Sequence, residues 1–357
     1  MRADGPRLTT RRRQALAAIA VLAAWVVQHA ACSPHRPGPD LPVYGATSAA
    51  QDAGGLSLRY FGASTLLITD SDGRSILIDG FFSRPSWRRL LTGIRPDEAR
   101  IRAGTALLGR SSVLAIFLAH PHHDHAMDAG VVADVLAEGQ GPDACPLILG
   151  STGAINVALG ANRRCKESRS IRDQELVCVG PYKVRVFATP HTDSPLNFPG
   201  SVHSPLGVPA PVWKFKLDQN FSFVVQHAHG TVLIVPSAGL RDGGYGARAD
   251  VVLLGVGGIG GWFRRCETCL GKLWDQAARA TGAGLVIPIH WDDFTSPLVD
   301  EGGVASLPPA PGLIGDITWT AAELKKLALD VQVATVPEGK EVKLPRYRGE
   351  ACDAIRE

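Results

Sequence analysis

The sequence predicts a mixed α and β fold in which two β-sheets pack against each other and helices cover their outer faces. Short apolar segments of strand length recur along the chain, and Gly, Pro or Asp residues separate them. Helix-forming stretches lie between several of these segments. With 45% hydrophobic and 20% charged residues among 357, the chain has the composition of a globular protein with a sizeable core.

The first strands are predicted to form an antiparallel meander that begins at Leu56. Its three segments are "LSLRYF", "TLLIT" and "SILID", and "DSDG" at 70–73 provides a hairpin turn. The apolar run at 113–120 predicts a strand that is buried on both faces. Further strands are expected in "PLILG", "YKVRVFATPH", "ADVVLLGVGG" and "AGLVIPIHW", and two or three strands in "WKFKLDQNFSFVVQHAHGTVLIVPSAG" with a turn at "HAHG". We therefore expect two sets of mostly antiparallel strands.

Helices are expected near 86–92, 127–136, 153–159 and 267–280. A last helix is expected in "TWTAAELKKLALD", where Thr320 and Glu323 have the spacing of a capping box. The glycine-rich segment 255–261 lacks the lysine of a nucleotide-binding loop, and we interpret it as a tight turn.

The chain divides into four predicted segments: an export signal at 1–32, a Pro-, Gly- and Ala-rich linker at 33–54, a folded domain at 55–345 and a tail at 346–357. Three arginines precede an apolar run from Ala15 to Val27, which has the length of a signal-peptide core and is short for a membrane span. Arginines in this position fit a twin-arginine export signal.

Export places the protein in the periplasm or the cell envelope. Cys32 follows two alanines, as in a lipoprotein cleavage site, and is a candidate for lipid attachment that would tether the domain to a membrane. An uncleaved signal anchor is the alternative interpretation of this segment.

The charge balance argues against nucleic acid as a partner. Five arginines and one aspartate lie in residues 1–32, and the rest of the chain carries 32 basic and 33 acidic residues. Such a chain lacks the excess of positive charge that phosphate backbones attract. We expect a small-molecule or lipid substrate instead.

Six cysteines follow Cys32, and in an exported chain they permit up to three disulfides whose pairing the sequence leaves open. Two of them form a CxxC, but the sequence contains no second CxxC to complete a zinc site. We expect one or two structural disulfides among Cys145, Cys165, Cys178, Cys266, Cys269 and Cys352.

Histidines gather at the ends of three predicted strands. "AHPHHDHAMDAG" at 119–130 places four histidines in twelve positions directly after an apolar strand. His191 ends "ATPH" and His290 ends "VIPIH". Side chains at the ends of neighbouring strands project into a common rim, so these groups can converge on one point.

The spacing within the histidine-rich segment favours metal binding over isolated hydrogen bonds. His120 and His122 are two apart and can chelate one ion if the local chain is extended, while Asp124 and His125 face a second position. Neutral imidazoles with one carboxylate suit zinc, and they also suit iron or manganese.

These segments resemble the metallo-β-lactamase superfamily. "HPHHDH" looks like its HxHxDH motif, "LRYFGASTLLITDSDGRSILIDGFFS" resembles its opening strands, and "VIPIHWDDF" is similar to the segment with its last metal histidine. The resemblance covers about 56–295. It implies an α/β (α+β) fold, a four-layer αββα sandwich with the metal site at one edge of the sheets, and hence a hydrolase domain over 55–345.

The resemblance also implies a set of ligands for one or two Zn²⁺ ions, with Fe or Mn as alternatives. The first ion would be held by His120, His122 and His191, and the second by Asp124, His125 and His290. Asp124 is also expected to take part in catalysis. Asp79, which ends "ILID", would orient a ligand imidazole.

One position departs from the family pattern. The family usually has a bridging aspartate in a "GDT"-like turn, and the aligned residue in "TVLIVPSAGL" is Ser237, whose hydroxyl is a poorer ligand than a carboxylate. Asp242 is the nearest downstream carboxylate, but its spacing is poor. Either the second ion is weakly held, or one ion suffices, or another group substitutes.

The remaining histidines of interest receive other interpretations. His123 lies at a variable position of the motif and is expected to face solvent or to stand behind the ligands. His227 and His229 flank a turn and are interpreted as rim residues. His203 lies in the Pro-rich connection 194–212 and is a candidate substrate contact.

The predicted chemistry is hydrolysis, since a metal ion of this kind lowers the pKa of a bound water and polarises the oxygen under attack. The sequence contains no GxSxG that would indicate a serine nucleophile. The scissile bond is expected to be an ester, lactone or phosphodiester, with an envelope lipid as one candidate substrate, because the motifs look most like the branch with sugar-lactone hydrolases and N-acyl-phosphatidylethanolamine phospholipase D. The alternatives are a β-lactam hydrolase and a non-catalytic metal-binding envelope protein that has lost the bridging aspartate.

Overall fold

The computed structural model describes residues 38–45, 55–140, 144–160, 163–194, 197–261, 266–312 and 314–345, together with Gly349 and Cys352. The predicted export signal with Cys32, and most of the predicted linker and tail, lie outside these residues. Within the described ranges, no helix is long and apolar enough to cross a lipid bilayer.

Sixteen strands form within the described residues, and most are short apolar runs as the sequence predicts. In chain order they are Ser57–Tyr60 (β1), Leu66–Thr69 (β2), Arg74–Ile78 (β3), Ser112–Phe117 (β4), Leu147–Gly150 (β5), Ser168–Ser170 (β6), Leu176–Val179 (β7), Tyr182–Ala188 (β8), Phe221–His227 (β9), Gly230–Val235 (β10), Val251–Gly255 (β11), Leu285–Ile289 (β12), Val299–Asp300 (β13), Gly303–Val304 (β14), Gln332–Val333 (β15) and Val342–Lys343 (β16).

The helices lie between these strands. They are Trp87–Thr92 (α1), Glu98–Ala106 (α2), His123–Ala126 (α3), Ala129–Leu136 (α4), Thr152–Ala158 (α5), Glu267–Trp274 (α6) and Ile317–Leu327 (α7). Five of them are close to predicted positions, whereas α2 and α3 were not predicted. A 3₁₀ turn occupies Val212–Lys214, and a π-helical turn over Asp275–Arg279 extends α6.

Two seven-stranded sheets confirm the predicted architecture. The first has the order β16-β1-β2-β3-β4-β5-β6 and the second β15-β12-β11-β10-β9-β8-β7, while β13 and β14 form a small hairpin. The first three strands pair antiparallel, as the meander prediction requires.

The expectation of mostly antiparallel strands is wrong, because each sheet is half parallel. The pairs from β3 to β6 are parallel in the first sheet, and so are the pairs from β10 through β11 and β12 to β15 in the second. Parallel neighbours need long crossover connections, which usually contain a helix. The helices between the apolar strands were the signal for this arrangement.

The main core lies between the sheets, where apolar side chains of the two inner faces meet. Tyr60, Phe117 and Phe223 are fully buried there, and the rings of Phe117 and Phe223 make an edge-to-face contact at 5.5 Å. A second cluster packs α1, α2, α4 and α5 on the outer face of the first sheet, with Leu77 and Ile116 at its base. The metal-site segments are thus attached to a rigid double sheet.

The last helix begins earlier than the capping-box spacing predicts. The Asp316 carboxylate accepts a hydrogen bond from the Trp319 amide at 3.0 Å and caps α7. Thr320 lies inside the helix, where its buried hydroxyl donates to the Asp316 carbonyl at 2.8 Å. The capping box at Thr320 and Glu323 is therefore wrong, because an aspartate four residues upstream already satisfies the first turn.

Part of the predicted linker packs against the folded domain. Residues 38–45 run beside the second sheet, where the Tyr44 amide donates to the Thr335 carbonyl at 2.8 Å. The Tyr44 side chain is buried in the main core, and the Lys325 ammonium binds Asp40 at 2.8 Å.

Three disulfides form, one more than the largest number expected. The pairs are Cys145–Cys165, Cys178–Cys352 and Cys266–Cys269. The second pair joins positions 174 residues apart, a contact that depends on tertiary structure and that spacing along the chain does not reveal. It ties Cys352 to β7 at the edge of the second sheet.

We expect Asp128→Ala to lower the free energy of unfolding by about 3–5 kcal/mol. The buried Asp128 carboxylate accepts hydrogen bonds from the amides of Phe82 and Ser83 at 2.8 and 2.6 Å, and from the Ser83 hydroxyl at 2.7 Å. Its removal leaves two buried amides without an acceptor. Urea unfolding measures the loss, and Asp128→Asn, which keeps one carbonyl acceptor, should lose less. Identical midpoints for Asp128→Ala and the wild type would contradict this role.

Candidate metal centre

The predicted ligands meet at one edge of the double sheet, where strands of both sheets end. β4 ends three residues before His120, β8 ends three residues before His191, and β12 ends directly before His290. The Phe221 amide donates to the Ala119 carbonyl at 2.9 Å and holds the two sheets together at this edge. These three histidines reach this edge because each of them follows the end of an apolar strand by one to three residues.

The six predicted ligands fall into two adjacent groups. Within each group, the potential ligand atoms lie within 4.8 Å of one another. The groups consist of His120, His122 and His191, and of Asp124, His125 and His290. This is the division that the resemblance implied.

The first group consists of three imidazoles that contact one another edge to face. The Nε2 atom of His120 lies 3.0 Å from Nδ1 of His122, and the ring of His191 lies 4.7 Å from that of His120. Nε2 of His122 faces the Asn197 carbonyl at 3.2 Å, and Nδ1 of His191 faces the Thr192 carbonyl at 2.8 Å. These carbonyls select the proton-bearing nitrogen and leave the other nitrogen of each ring for a ligand.

The second group combines two imidazoles with the carboxylate. Nε2 of His290 lies 3.3 Å from Nε2 of His125 and 3.4 Å from an oxygen of Asp124. The same oxygen lies 3.6 Å from Nε2 of His125. Asp124 and His125 lie in α3, a single helical turn directly after His122.

Asp79 stands behind His125, as the sequence predicts. Its carboxylate accepts from Nδ1 of His125 at 2.8 Å, from the Ser64 hydroxyl, and from the Ala119 amide at 2.8 Å. Asp79 is fully buried and has a φ of 60°, in the left-handed region that non-glycine residues seldom occupy. The contacts fix the His125 ring so that Nε2 faces the centre.

A buried network that the sequence analysis missed holds His290. His290 has a φ of 59°, and its amide donates to the Tyr60 hydroxyl at 3.2 Å. That hydroxyl donates in turn to Asp292 at 2.8 Å, whose other oxygen binds the Arg84 guanidinium at 2.7 Å. Side chains of Arg84 and Asp292 are 0% exposed, so each charge depends on the other.

The signal for this network is faint but present. Arg84 interrupts the apolar stretch "DGFFSRP", and Asp292 follows two residues after the last ligand histidine. The guanidinium also donates to the Phe61 carbonyl at 3.1 Å and to the Asp293 carbonyl at 3.1 Å. A lone charge inside an apolar segment indicates a buried partner, although the sequence does not show which one.

Gly257 is required beside His290 because no larger residue fits. A Cβ atom at this position would lie 2.8 Å from Nδ1 of His290 and 3.0 Å from its carbonyl oxygen. The glycine-rich segment 255–261 is therefore a close approach of backbone to a ligand, in addition to the tight turn that the sequence predicted.

Ser237 lies at the centre, where the resemblance places the bridging aspartate, but its contacts are structural. Its hydroxyl accepts from the Thr192 amide at 3.0 Å and lies 3.3 Å from the Thr192 hydroxyl. Ser237 thereby fixes the turn that carries His191. Asp242, the other candidate, lines a separate surface depression on the second sheet and supplies nothing to the described ligand groups.

His123 and His203 do not lie where the sequence predicted a solvent-facing residue and a substrate contact. His123 does not face solvent: it is buried, and its ring makes edge-to-face contacts with Phe81, Phe215 and Phe294 at 5.6–6.0 Å. The aromatic neighbours come from three separate segments, which spacing alone does not reveal. His203 is exposed and is absent from the described wall of the central cavity. The candidate substrate contact at His203 is therefore not supported by its position.

His227 and His229 lie at the far end of β9, away from the ligands. The His227 ring is buried against Tyr182 at 5.2 Å and its Nε2 lies 3.8 Å from Asp70. The pair therefore lies at the sheet edge opposite the metal centre, beside the turn between β9 and β10, and takes no part in the ligand groups.

Burial keeps the first group of imidazoles neutral. Loss of hydration, followed by the proximity of other imidazoles, lowers the pKa of His120 well below its usual value and that of His122 to about 3. The pKa of His191 is lowered to about 4, mainly by burial. Neutral imidazole is the form that binds metal, so protons compete weakly at these nitrogens.

In the second group, charged neighbours keep Asp124 ionised and favour the protonated form of His125. Burial would raise the pKa of Asp124, but His125 and His123 outweigh it and hold that pKa well below its usual value. Burial would lower the pKa of His125, but Asp79 and Asp124 together raise it. A second-group cation would replace the proton on His125 and keep the contact with Asp79.

The residues fit a divalent metal ion. Five imidazoles and one carboxylate form a donor set that suits zinc, iron or manganese. Nε2 of His120 and Nδ1 of His122 lie 3.0 Å apart, and their group contains no carboxylate. A cation bound between the two nitrogens would accept the lone pairs of both. Three ligand rings are oriented by a hydrogen bond at one ring nitrogen, those of His122, His191 and His125, which is typical of metal-binding histidines.

A cavity of about 1170 Å³, counting the part open to solvent, lies over the ligands. His122, Asp124, His191 and His290 form its floor. Its walls come from loops that follow β8, β11 and β12 and from the start of α7. The centre is thus reachable by a small molecule.

We expect His122→Ala and His290→Ala each to lower the metal content of purified protein from about two ions to about one per chain, because each removes a ligand from a different group. Elemental analysis after loading with Zn²⁺ and gel filtration measures this. His203→Ala, an exposed change outside the cavity, is the matched control and should retain the full content. A wild type that holds no metal when loaded would contradict the ligand assignment.

We expect the metal-free protein to lose stability as the pH falls below about 6.5. The unfolded chain protonates its histidines near their usual pKa of 6.5, whereas native His122 and His191 stay neutral down to about 3 and 4. The unfolded state therefore binds more protons in this window, and the free energy of unfolding falls by about 1.4 kcal/mol per pH unit for each such histidine. His125, with its raised pKa, offsets part of the loss.

Urea unfolding of chelator-treated protein at several values between about pH 7.5 and about pH 5 measures the slope. His191→Gln should flatten it, because one neutral imidazole is gone. A midpoint independent of pH over this range would show that the buried histidines do not resist protonation.

A family model for the metallo-beta-lactamase superfamily matches residues 58–141 of the chain. No curated protein matches the chain. Among solved structures, it is similar to the metallo-beta-lactamase fold protein YhfI from Bacillus subtilis, with 13% identity, coverage of 85% of this chain and 98% of that one, and a TM-score of 0.47.

Two further structures are similar at the same level. A possible metal-dependent hydrolase from Veillonella parvula has 13% identity, coverage of 82% of this chain and 100% of that one, and a TM-score of 0.47. The isothiocyanate hydrolase from Delia radicum gut bacteria has 12% identity with the same coverage and TM-score. The matched segment 58–141 contains His120, His122, Asp124 and His125, and the two packed sheets and the clustered His and Asp groups agree with the fold of that superfamily.

Proposed function

We propose that the protein is a metal-dependent hydrolase, and that a metal-activated water attacks an ester, lactone or phosphodiester bond. The observation that carries this proposal is the pair of ligand groups on the floor of one accessible cavity. A purely structural metal site is normally enclosed by its ligands, whereas a catalytic site keeps a position open to substrate.

The chain's own residues perform three tasks in this proposal. The buried imidazoles of His120, His122 and His191 remain neutral and ready to hold an ion at neutral pH. Asp124 places a negative oxygen between His125 and His290, where it can also accept a proton from the reacting water. The cavity wall limits the access of bulk water, which strengthens every electrostatic interaction inside.

A bound ion would supply Lewis acidity, which lowers the pKa of water and polarises the oxygen under attack. His120, His122 and His191 would hold one ion, and Asp124, His125 and His290 a second, with Zn²⁺ as the first candidate. Asp79 keeps His125 in the tautomer that this role needs.

A non-catalytic metal-binding role is the alternative from another functional class. It rests on Ser237, which supplies a hydroxyl where the family usually has a bridging aspartate. Both ligand groups are nevertheless complete without that position, and this favours catalysis. We also propose export to the periplasm or the cell envelope, on the support of the arginines at 11–13 and the apolar run 15–27, with Cys32 as a candidate lipid anchor.

The test is hydrolysis by Zn²⁺-loaded domain of four substrates, namely a p-nitrophenyl ester, an alkyl lactone, bis(p-nitrophenyl) phosphate and a chromogenic cephalosporin. We expect turnover of at least one, with kcat/KM lowered at least about 100-fold by His122→Ala or Asp124→Ala, since even residues behind metal ligands contribute about 10–100-fold. His203→Ala should match the wild type. Activity that survives both ligand substitutions would refute the proposal.

A further inference from the structure

The cavity over the ligands has a floor and walls of opposite character. The polar floor consists of the ligand side chains, while the walls are mostly apolar. Six of the apolar wall residues are Leu90, Phe198, Val256, Ile259, Phe294 and Ile317. They come from α1, from the connection after β8, from the loops after β11 and β12, and from α7. Five separate segments thus contribute apolar surface to one space.

The charges of the described wall are those of carboxylates. Asp292 and Asp316 line the cavity beside Asp124, and none of the described lining residues is Lys or Arg. The Arg84 guanidinium lies behind the wall, committed to Asp292. An anionic group away from the reacting bond would lose hydration against this apolar surface, and no described lining residue offers it a cationic side chain.

We propose that the substrate is an uncharged ester or lactone with an extended apolar acyl or alkyl group, which occupies the apolar part of this cavity while its carbonyl lies at the floor. The proposal rests on the hydrolase function proposed above and narrows its substrate class. It disfavours the β-lactam, whose carboxylate lies away from the reacting bond and would meet the apolar wall.

The reaction balances with water as the only co-reactant. The water oxygen forms a bond to the carbonyl carbon, the bond between that carbon and the alcohol oxygen breaks, and the alcohol oxygen takes a proton. An ester gives an acid and an alcohol, and a lactone gives one hydroxy acid. The apolar group keeps its place in the cavity throughout, so each buried CH₂ group contributes to binding.

Gly315 provides a way to change the cavity without touching the ligands. It lines the apolar part, and a Cβ atom there would meet only ordinary contacts at 3.6–3.9 Å. Its φ lies outside the left-handed region, so a larger residue is compatible with the backbone. Gly315→Leu therefore fills space that the acyl group would occupy, and Gly315→Ala fills less of it.

The experiment compares acetyl, butyryl, hexanoyl and decanoyl esters of p-nitrophenol on Zn²⁺-loaded protein. We expect kcat/KM to rise by about two- to fourfold per methylene until the cavity is filled, as burial of a CH₂ group predicts. Gly315→Leu should lower the ratio of kcat/KM for the decanoyl ester to kcat/KM for the acetyl ester about tenfold. Gly271→Leu is the matched control, since a Cβ atom there has nothing within 4 Å and Gly271 lies in α6, outside the cavity lining.

A second measurement separates binding from turnover. Hexanoyl and decanoyl hydroxamic acids are titrated calorimetrically into the same proteins, because the hydroxamate chelates the metal and the chain probes the cavity. Tighter binding of the longer chain, lost in Gly315→Leu, supports the inference even if no ester is hydrolysed and the hydrolase proposal fails. Hydrolysis with no chain-length dependence, or with bis(p-nitrophenyl) phosphate as the preferred substrate, overturns the inference and leaves the hydrolase function standing.

Discussion

The metal centre depends on the buried Asp79 carboxylate, which joins the sheet to the ligands. Asp79 follows β3, accepts the Ala119 amide from the end of β4, and holds Nδ1 of His125. It does so from a left-handed backbone conformation, whose cost of about 1–3 kcal/mol the surrounding contacts must offset. A carboxylate without such partners would not remain buried. Fold and site are therefore stabilised by the same group.

The position of the site was readable from the sequence, because it follows from short-range patterns. An apolar strand that ends in histidine places that side chain at a sheet edge, and three strands do so before His120, His191 and His290. The spacing of His120, His122, Asp124 and His125 indicates two neighbouring positions, and the resemblance implies that His191 joins the first and His290 the second, which is how the groups lie. Strand periodicity and local spacing carry this information, and neither depends on distant contacts.

What the sequence did not reveal depends on residues far apart along the chain. Arg84 and Asp292 are 208 positions apart, and nothing in either segment names the partner. The pairing of Cys178 with Cys352 has the same origin. The prediction of mostly antiparallel strands is wrong because the helices between the apolar strands are the crossovers that parallel pairing requires. The aromatic contacts of His123 likewise come from tertiary structure, because Phe215 and Phe294 are far from it along the chain.

The loop after β11 serves two purposes at once. Gly257 lies against the His290 ring, and Gly258 and Ile259 form part of the cavity wall a residue or two later. An insertion or substitution that reshapes this wall will also displace the ring. Adaptation to a new substrate through this loop would therefore lower metal affinity, whereas helix α1, which contributes Leu90 to the wall, carries no ligand and is free to diverge. Evolutionary change of specificity in this protein should therefore be sought on one side of the cavity first.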